Sequence, residues 1–270
     1  MTVLRQIADL RAEADEFDRL LATLRDDDWR RATLFKGWTP DDIVQHLHMG
    51  DRMGLASATD ETAFAALRAD IQAKRATGLS RVEETRQRLG GLIGPTLRER
   101  WRSVLDELCD ALAAKPADAR LKWAGPDMGI RMFTTARQME VWSHSQAIYD
   151  VMGVERPAAS ARLRNIAEIG VRTFGWTYRV RDLPVPPTAP RVRLDAPNGE
   201  TWEWNVECVT DSVSGDAVAF CRVVTQTRNI ADTTLAVEGD VAKHWMSIAQ
   251  CFAGPPETPP AKGTRHPATP

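Results

Sequence analysis

The chain has 270 residues, of which 43% are hydrophobic and 27% charged, as is typical of a globular protein with one large domain or two modest ones. Its formal net charge of −2 gives no reason to expect nucleic acid or an anionic membrane surface as a partner. No run approaches the roughly 20 apolar residues of a membrane helix, and the amphipathic N-terminal segment resembles neither a signal peptide nor a transit peptide. We therefore expect a cytoplasmic protein.

Apolar residues that recur every three or four positions predict a bundle of helices over residues 1–182. The first apolar stripe runs from Leu4 to Leu24. A second helix is expected after Thr39, which is a good N-cap, with Pro40 at the first helical position. The further predicted helices cover residues 60–89, 95–114, 133–151 and 160–178.

A proline-rich linker at 183–190 separates this bundle from a region in which the period changes to two. Val192 and Leu194 alternate with charged residues there, which predicts a strand. The other predicted elements are a return strand with Trp202 and Trp204, a helix over 215–225, a strand at 235–237 and a helix over 240–252. The predicted fold is therefore α+β, with a small α+β domain at 191–254 and a proline-rich, disordered tail at 255–270.

The four cysteines show no metal-binding or redox spacing; they are Cys109, Cys208, Cys221 and Cys251. Reduced, buried cysteines of a cytoplasmic protein are the expected interpretation. The sequence also lacks a glycine-rich dinucleotide fingerprint, a P-loop and a nucleophile elbow. The five histidines therefore remain as candidate functional residues.

Two histidines interrupt apolar stripes of the predicted helices. His46 lies three residues past Ile43 on the inward face of the second helix. Glu140 and His144 are spaced i, i+4, so their side chains share the inward face of the helix over 133–151. A buried carboxylate needs a compensating partner, and two imidazoles with one carboxylate suit a divalent ion, zinc most simply. The sequence therefore predicts a metal site with one position open to water or substrate.

Other interpretations of these residues remain open. Glu140 could instead form an ion pair with Arg137, leaving the histidines as satisfied core residues. Asp51, five residues past His46, could reach the edge of the site as a general base. His48 is predicted to face solvent.

Three stretches resemble one known family. Gly-Trp-Thr-Pro-Asp-Asp at 37–42, followed by His46, is similar to the first signature of the DinB-like, mycothiol-dependent maleylpyruvate isomerases. The Arg-x-x-Glu-x-x-x-His run at 137–144 is similar to the second signature. Residues 216–254, with Phe-Cys-Arg-Val-Val-Thr-Gln at 220–226, resemble the smaller domain of the same proteins.

This resemblance implies a DinB-like four-helix bundle that binds a divalent metal, usually zinc, through His46, Glu140 and His144. It also implies a low-molecular-weight thiol, mycothiol or glutathione, as co-substrate. An arginine of the smaller domain is expected near the metal; Arg222 is the best match and Arg228 the second. The chain departs from the family at 145–147, where Ser-Gln-Ala replaces the usual Gly-x-Asp and removes a carboxylate.

Three functions follow as hypotheses. In the first, a thiol-dependent isomerase or S-transferase, the metal stabilises a thiolate that adds to an electrophilic small molecule. Arg222 would be catalytic and pair with a carboxylate, while Arg137 and Arg228 would bind the co-substrate. The second is a metal-water hydrolase with Asp51 as base. The third is a non-catalytic small-molecule-binding protein with a structural metal. Monomer and homodimer are both compatible with the sequence.

Overall fold

The computed structural model describes residues 2–158 and 160–268. Contacts divide the chain into two units, Met1–Met152 and Gly153–Pro270. The helices of the first unit are α1 (Val3–Leu21), α2 (Pro40–Thr59), α3 (Glu61–Ala76), α4 (Arg81–Leu89), α5 (Gly94–Ala113) and α6 (Ile130–Met152). A short antiparallel pair, β1 (Arg120–Leu121) and β2 (Met128–Gly129), precedes α6. Each helix of the described chain is too short or too polar to cross a membrane.

Four of these helices, α1, α2, α5 and α6, form the bundle, because α2 and α6 each pack against α1 or α5 and against one another. Their inward stripes meet in one core, in which each large side chain contributes roughly 1.5–3 kcal/mol relative to an exposed one. Fully buried members of this core are Leu10, Phe17, Ile43, Leu47, Trp101, Leu105, Leu108 and Phe133. The predicted α+β fold class, with a DinB-like helical bundle, is thereby confirmed.

The start of α2 follows from its local sequence. Thr39 accepts a hydrogen bond from the Asp42 backbone N–H, while the Asp42 carboxylate accepts one from the Thr39 N–H. This reciprocal capping box satisfies two backbone donors, and Pro40 suits the first helical position because it has no N–H to satisfy. The predicted start of the second helix is therefore confirmed.

The predicted helix over 60–89 is two helices in the structure. Gly78 has a φ of +97°, which ends the helical run after α3. Ser80 then caps α4 in a second capping box with Glu83. The break places the beginning of α4 beside α2.

The second unit contains a four-stranded sheet with helices packed on it. Its elements are α7 (Arg164–Arg172), α8 (Phe174–Arg179), β3 (Arg191–Asp195), β4 (Thr201–Trp204), β5 (Ser212–Asp216), α9 (Ala217–Val224), β6 (Ala236–Glu238) and α10 (Asp240–Ile248). The strand order is β4-β3-β5-β6; β3 pairs with β4 antiparallel and with β5 parallel, and β6 runs antiparallel to β5. The hairpin and the helices α9 and α10 match the predicted positions, whereas β5 is absent from the sequence-based elements.

The ends of this unit differ from the sequence-based boundaries. The predicted helix over 160–178 is divided at Thr173 into α7 and α8, and both belong to the second unit because α7 packs on α9 and α8 contacts α10. The segment from 255, expected to be disordered, makes hydrogen bonds in its described part. The Glu257 N–H donates to Gln250, and the Pro260 carbonyl accepts from Asn229.

Asp211 holds the beginning of α10. Its Oδ1 accepts hydrogen bonds from the backbone N–H groups of Val241 at 2.9 Å and Ala242 at 3.1 Å. Gly239, immediately before the helix, has a φ of +84° and a ψ of 157°, a backbone conformation that glycine alone adopts readily. A side chain there would also collide with the Asp211 carboxylate and the Thr210 carbonyl.

We expect Gly239→Ala to lower the free energy of unfolding by about 2–5 kcal/mol, from roughly 1–2 kcal/mol of backbone strain and 1–3 kcal/mol of overpacking. Gly199→Ala is the matched control, because Gly199 has a φ of +82° but open space around its Cβ position. Urea unfolding of both variants measures the difference. Equal losses in the two variants would mean that the cap does not depend on close packing at residue 239.

Candidate metal centre

Helices α2 and α6 bring the three predicted ligands together. The Oε2 atom of Glu140 lies 3.2 Å from Nε2 of His46 and 3.2 Å from Nε2 of His144. One ligand atom from each residue lies within 4.8 Å of the others. Residues 94 positions apart in the chain thus converge on one point, as the polar interruptions of the apolar stripes predict.

Burial and hydrogen bonding set the charges of this cluster. Burial lowers the pKa of His46 to about 4, and the neighbouring His144 adds to this effect, against the hydrogen bond to Glu140. Burial also opposes ionisation of Glu140, but hydrogen bonds with His144 and His46 outweigh it and hold the pKa of this carboxyl well below its usual range. At neutral pH the cluster therefore has an ionised carboxylate and a neutral His46, the protonation states in which these groups bind metals.

An aromatic wall orients the two imidazoles. Trp38 stacks parallel to His144 with ring centroids 6.0 Å apart and meets the edge of His46 at 5.4 Å. Phe35 contacts the edge of His144 at 5.1 Å. The side chains of the three candidate ligands keep 14–20% of their surface exposed, so the centre is shielded on one side and still reaches solvent.

This donor set fits a first-row divalent ion. Two imidazole nitrogens and one carboxylate oxygen are the ligands that zinc takes in many catalytic sites, which retain an open fourth position. Structural zinc sites are normally closed by four protein ligands, and the described chain gathers three at this point. The cluster could therefore hold a metal ion with one exchangeable position.

Arg137 pairs with Asp51 and not with Glu140, which corrects the alternative ion pair considered from the sequence. Arg137 Nε donates to Asp51 Oδ1 at 2.9 Å, and Trp101 Nε1 donates to Asp51 Oδ2 at 3.0 Å. Arg137 Nη2 also points to the Leu47 carbonyl at 3.4 Å. Burial raises the pKa of Asp51, while Arg137 and Trp101 favour its ionised form.

Asp51 and Arg137 are therefore engaged with each other inside the bundle. Asp51 is 0% exposed and Arg137 is 3% exposed. Both carboxylate oxygens of Asp51 already accept hydrogen bonds from protein donors. Sequence reasoning missed Trp101 as a partner because a tryptophan in an apolar stripe is typical of core packing.

His48 is buried, with 2% exposure, so the prediction that it faces solvent is wrong. The reason is the central position of α2, which packs against α3, α4, α5 and α6 and thus has more than one buried face. Burial lowers the pKa of His48 to about 4. The prediction assumed that α2 has one buried face and one exposed face, which holds only for a helix at the surface of the bundle.

The two arginines expected from the smaller domain lie in the second unit. Arg222 is on α9, and Arg228 follows that helix and donates from Nη1 to the Thr227 carbonyl at 2.8 Å. Their roles in catalysis and thiol binding stay predictions.

In the first unit, Cys109 is fully buried, and burial raises the pKa of its thiol to about 12, which makes it a poor nucleophile.

Fold and centre together define a helical-bundle protein with a candidate His-Glu-His metal site. The family model of the mycothiol maleylpyruvate isomerase N-terminal domain matches residues 10–149, and the chain belongs to this family. Two uncharacterized proteins from strains of Mycobacterium tuberculosis are 38% identical to it over 250 residues, which is 93% of this chain and 96% of theirs.

Two solved structures share the fold. One is the mycothiol-dependent maleylpyruvate isomerase, which is similar to this chain with a TM-score of 0.51 and 16% sequence identity. The other is a histidine-to-alanine mutant of the mycothiol-dependent maleylpyruvate isomerase, with a TM-score of 0.53 and 12% sequence identity. Each match covers 83% of this chain and 88% of the solved one. At such identities the likeness concerns the fold alone.

Gly50 makes room for the buried guanidinium of Arg137. A Cβ at this position would lie 2.8 Å from both Nη1 and Nη2, and the pair with Asp51 keeps this side chain from moving away. Alanine is normally worth about 1 kcal/mol more than glycine inside a helix. We expect Gly50→Ala to destabilise the protein by up to about 2 kcal/mol instead, because overpacking typically costs about 1–3 kcal/mol and so offsets the gain in helix propensity.

Thermal or urea unfolding measures this change. The control is the same substitution in an Arg137→Met background, where no forked head group approaches residue 50, and there alanine should be neutral or stabilising relative to glycine. A stabilised Gly50→Ala single variant would show that the guanidinium shifts at little cost.

Proposed function

We propose that this protein is a metal-dependent enzyme that uses a low-molecular-weight thiol, as an isomerase or an S-transferase. The family and the structural neighbours are of the mycothiol-dependent maleylpyruvate isomerase type. The observation that carries the proposal is the cluster of His46, Glu140 and His144, which offers three ligands and one side open to solvent. Mycothiol or glutathione would be the co-substrate and an electrophilic small molecule the substrate.

The protein's own residues prepare this chemistry. Glu140 supplies the negative charge of the ligand set and His46 a neutral nitrogen, so a divalent ion such as zinc needs little proton release to bind. Such an ion lowers the pKa of a coordinated thiol and so favours the nucleophilic thiolate. Trp38 and Phe35 orient the imidazoles and exclude water from one side. Arg222 is proposed to pair with a substrate carboxylate, and Arg228 to bind the thiol.

The two other hypotheses have weaker support. A hydrolase would need a general base, and Asp51, the residue considered for that role, is fully buried with both oxygens occupied. We therefore assign Asp51 and Arg137 a positioning role in this proposal. A structural metal would normally have a fourth protein ligand.

Metal content is the first test. We expect about one divalent ion per chain in tag-free protein analysed by mass spectrometry, and loss of that ion in His144→Ala, because two remaining ligands bind weakly. His244→Ala is the matched control, since His244 is exposed on α10 in the second unit. Failure of the wild-type protein to take up Zn²⁺, Ni²⁺ or Mn²⁺ would refute the metal-dependent function.

Thiol dependence is the second test. Maleylpyruvate isomerisation and S-transfer to monochlorobimane are both assayed with mycothiol, with glutathione and without thiol, because Ala147 stands where the family usually carries an aspartate. We expect turnover in at least one assay that is lost when the thiol is omitted and in His144→Ala. Ester hydrolysis without any thiol, together with no thiol-dependent turnover, would favour the hydrolase.

A further inference from the structure

We propose that a cleft beside the metal centre binds a carboxylate that carries a neighbouring N–H or O–H group, through Arg81 and Gln45. The proposal rests on the proposed function, because it names a chemical class for the ligand of that site. The carboxylate could belong to the thiol or to its electrophilic partner, and the experiment below distinguishes these sources.

The cleft lies where the beginning of α4 approaches α2. Its lining includes Trp38, Gln45 and His46 from the region of α2, and Arg81 and Val82 from α4. Because His46 is both a lining residue and a candidate metal ligand, a molecule in the cleft would adjoin the metal position. The walls leave no room for a water molecule, so a ligand would enter as the exposed side chain of Arg81 turns outward, and its carboxylate would then pair with that guanidinium.

Arg81 is a cation without an acidic partner in the described chain. The acid of the same cleft, Asp42, is already neutralised, because its two oxygens accept from Arg86 Nε at 2.6 Å and Nη2 at 2.7 Å. Arg81 and the candidate ligand His46 line the same cleft. A guanidinium in this situation is suited to a ligand carboxylate.

Gln45 adds a second, independent feature. Its side chain is 3% exposed, and its Nε2 donates to the Leu92 carbonyl at 3.0 Å. Its Oε1 is buried and has no hydrogen-bond partner among residues 2–158 and 160–268. Buried acceptors in proteins are nearly always satisfied, so this oxygen is suited to an N–H or O–H group of a ligand. The cation of Arg81 and the unsatisfied acceptor of Gln45, both in the cleft that His46 lines, together suit a carboxylate with a neighbouring N–H or O–H group.

N-acetylcysteine and its uncharged amide are a matched pair of probes, because both contain a thiol and an amide N–H but only the acid has a carboxylate. We expect zinc-loaded wild-type protein to bind the acid about tenfold more tightly in isothermal titration calorimetry. Arg81→Gln should abolish this preference and leave the amide affinity and the metal content unchanged. The control is Arg75→Gln, which removes the same charge from an exposed site on α3 and should retain the preference.

Two further probes complete the design. N-acetylserine lacks the thiol: binding that requires Arg81 assigns the subsite to acids in general, whereas recognition of N-acetylcysteine alone assigns it to the thiol. 3-Mercaptopropionate lacks the amide N–H, and Gln45→Leu should reduce the advantage of N-acetylcysteine over it. A preference for the acid that survives Arg81→Gln, or equal affinity for acid and amide in the wild type, overturns the inference but not the proposed function. If the protein takes up no metal, the proposed function fails, and Arg81-dependent binding of N-acetylserine still decides the inference.

Discussion

The buried ion pair between Asp51 and Arg137 links the two helices that carry the candidate ligands. Gly50 and Asp51 follow His46 by about one turn of α2, and Arg137 precedes Glu140 by about one turn of α6. A buried pair adds little net stability, because desolvation offsets most of its attraction, but removal of one partner typically costs about 3–5 kcal/mol. Its consequence is geometric: helix rotations or shifts that separate the two charges are strongly disfavoured. The relative position of His46 and Glu140 therefore depends on the neighbouring ion pair of Asp51 and Arg137, although neither candidate ligand takes part in that pair.

The charges of the ligand cluster also favour a bound cation. Glu140 is ionised and His46 is neutral, so the cluster holds a buried negative charge that hydrogen bonds with the two imidazoles stabilise. A bound cation would neutralise that charge, which is favourable because an isolated buried carboxylate is costly. The aromatic wall of Trp38 and Phe35 strengthens this preference, because charges interact more strongly where water is excluded.

Local signals account for what the sequence could predict. The capping box at Thr39 and the i, i+4 spacing of Glu140 and His144 depend on neighbours within one turn, so they can be recognised without the fold. The pairing of Arg137 could not be predicted in this way, because either Glu140 or Asp51 was in range and the rotation of α2 about its axis decides between them. The strand β5 pairs in parallel with β3, and its Ser-Val-Ser-Gly-Asp sequence contains a single β-branched residue, Val213, beside serine, glycine and aspartate, so it does not have the composition that marks a strand.

Membership of a family does not choose among reactions, because one fold supports many functions and the side chains of the site decide. Ala147 illustrates this. It lies one turn beyond His144 on α6 and packs against the bundle core, so an aspartate there would place a carboxylate against apolar side chains. With alanine in that place, the chain keeps Glu140 as the single carboxylate of the ligand cluster. In the described chain the guanidinium of Arg81 has no acidic partner and Asp42 is neutralised, which limits the negative charge that an anionic ligand would meet beside the metal position. The chain thus departs from the family pattern at residue 147 and preserves the metal-ligand set.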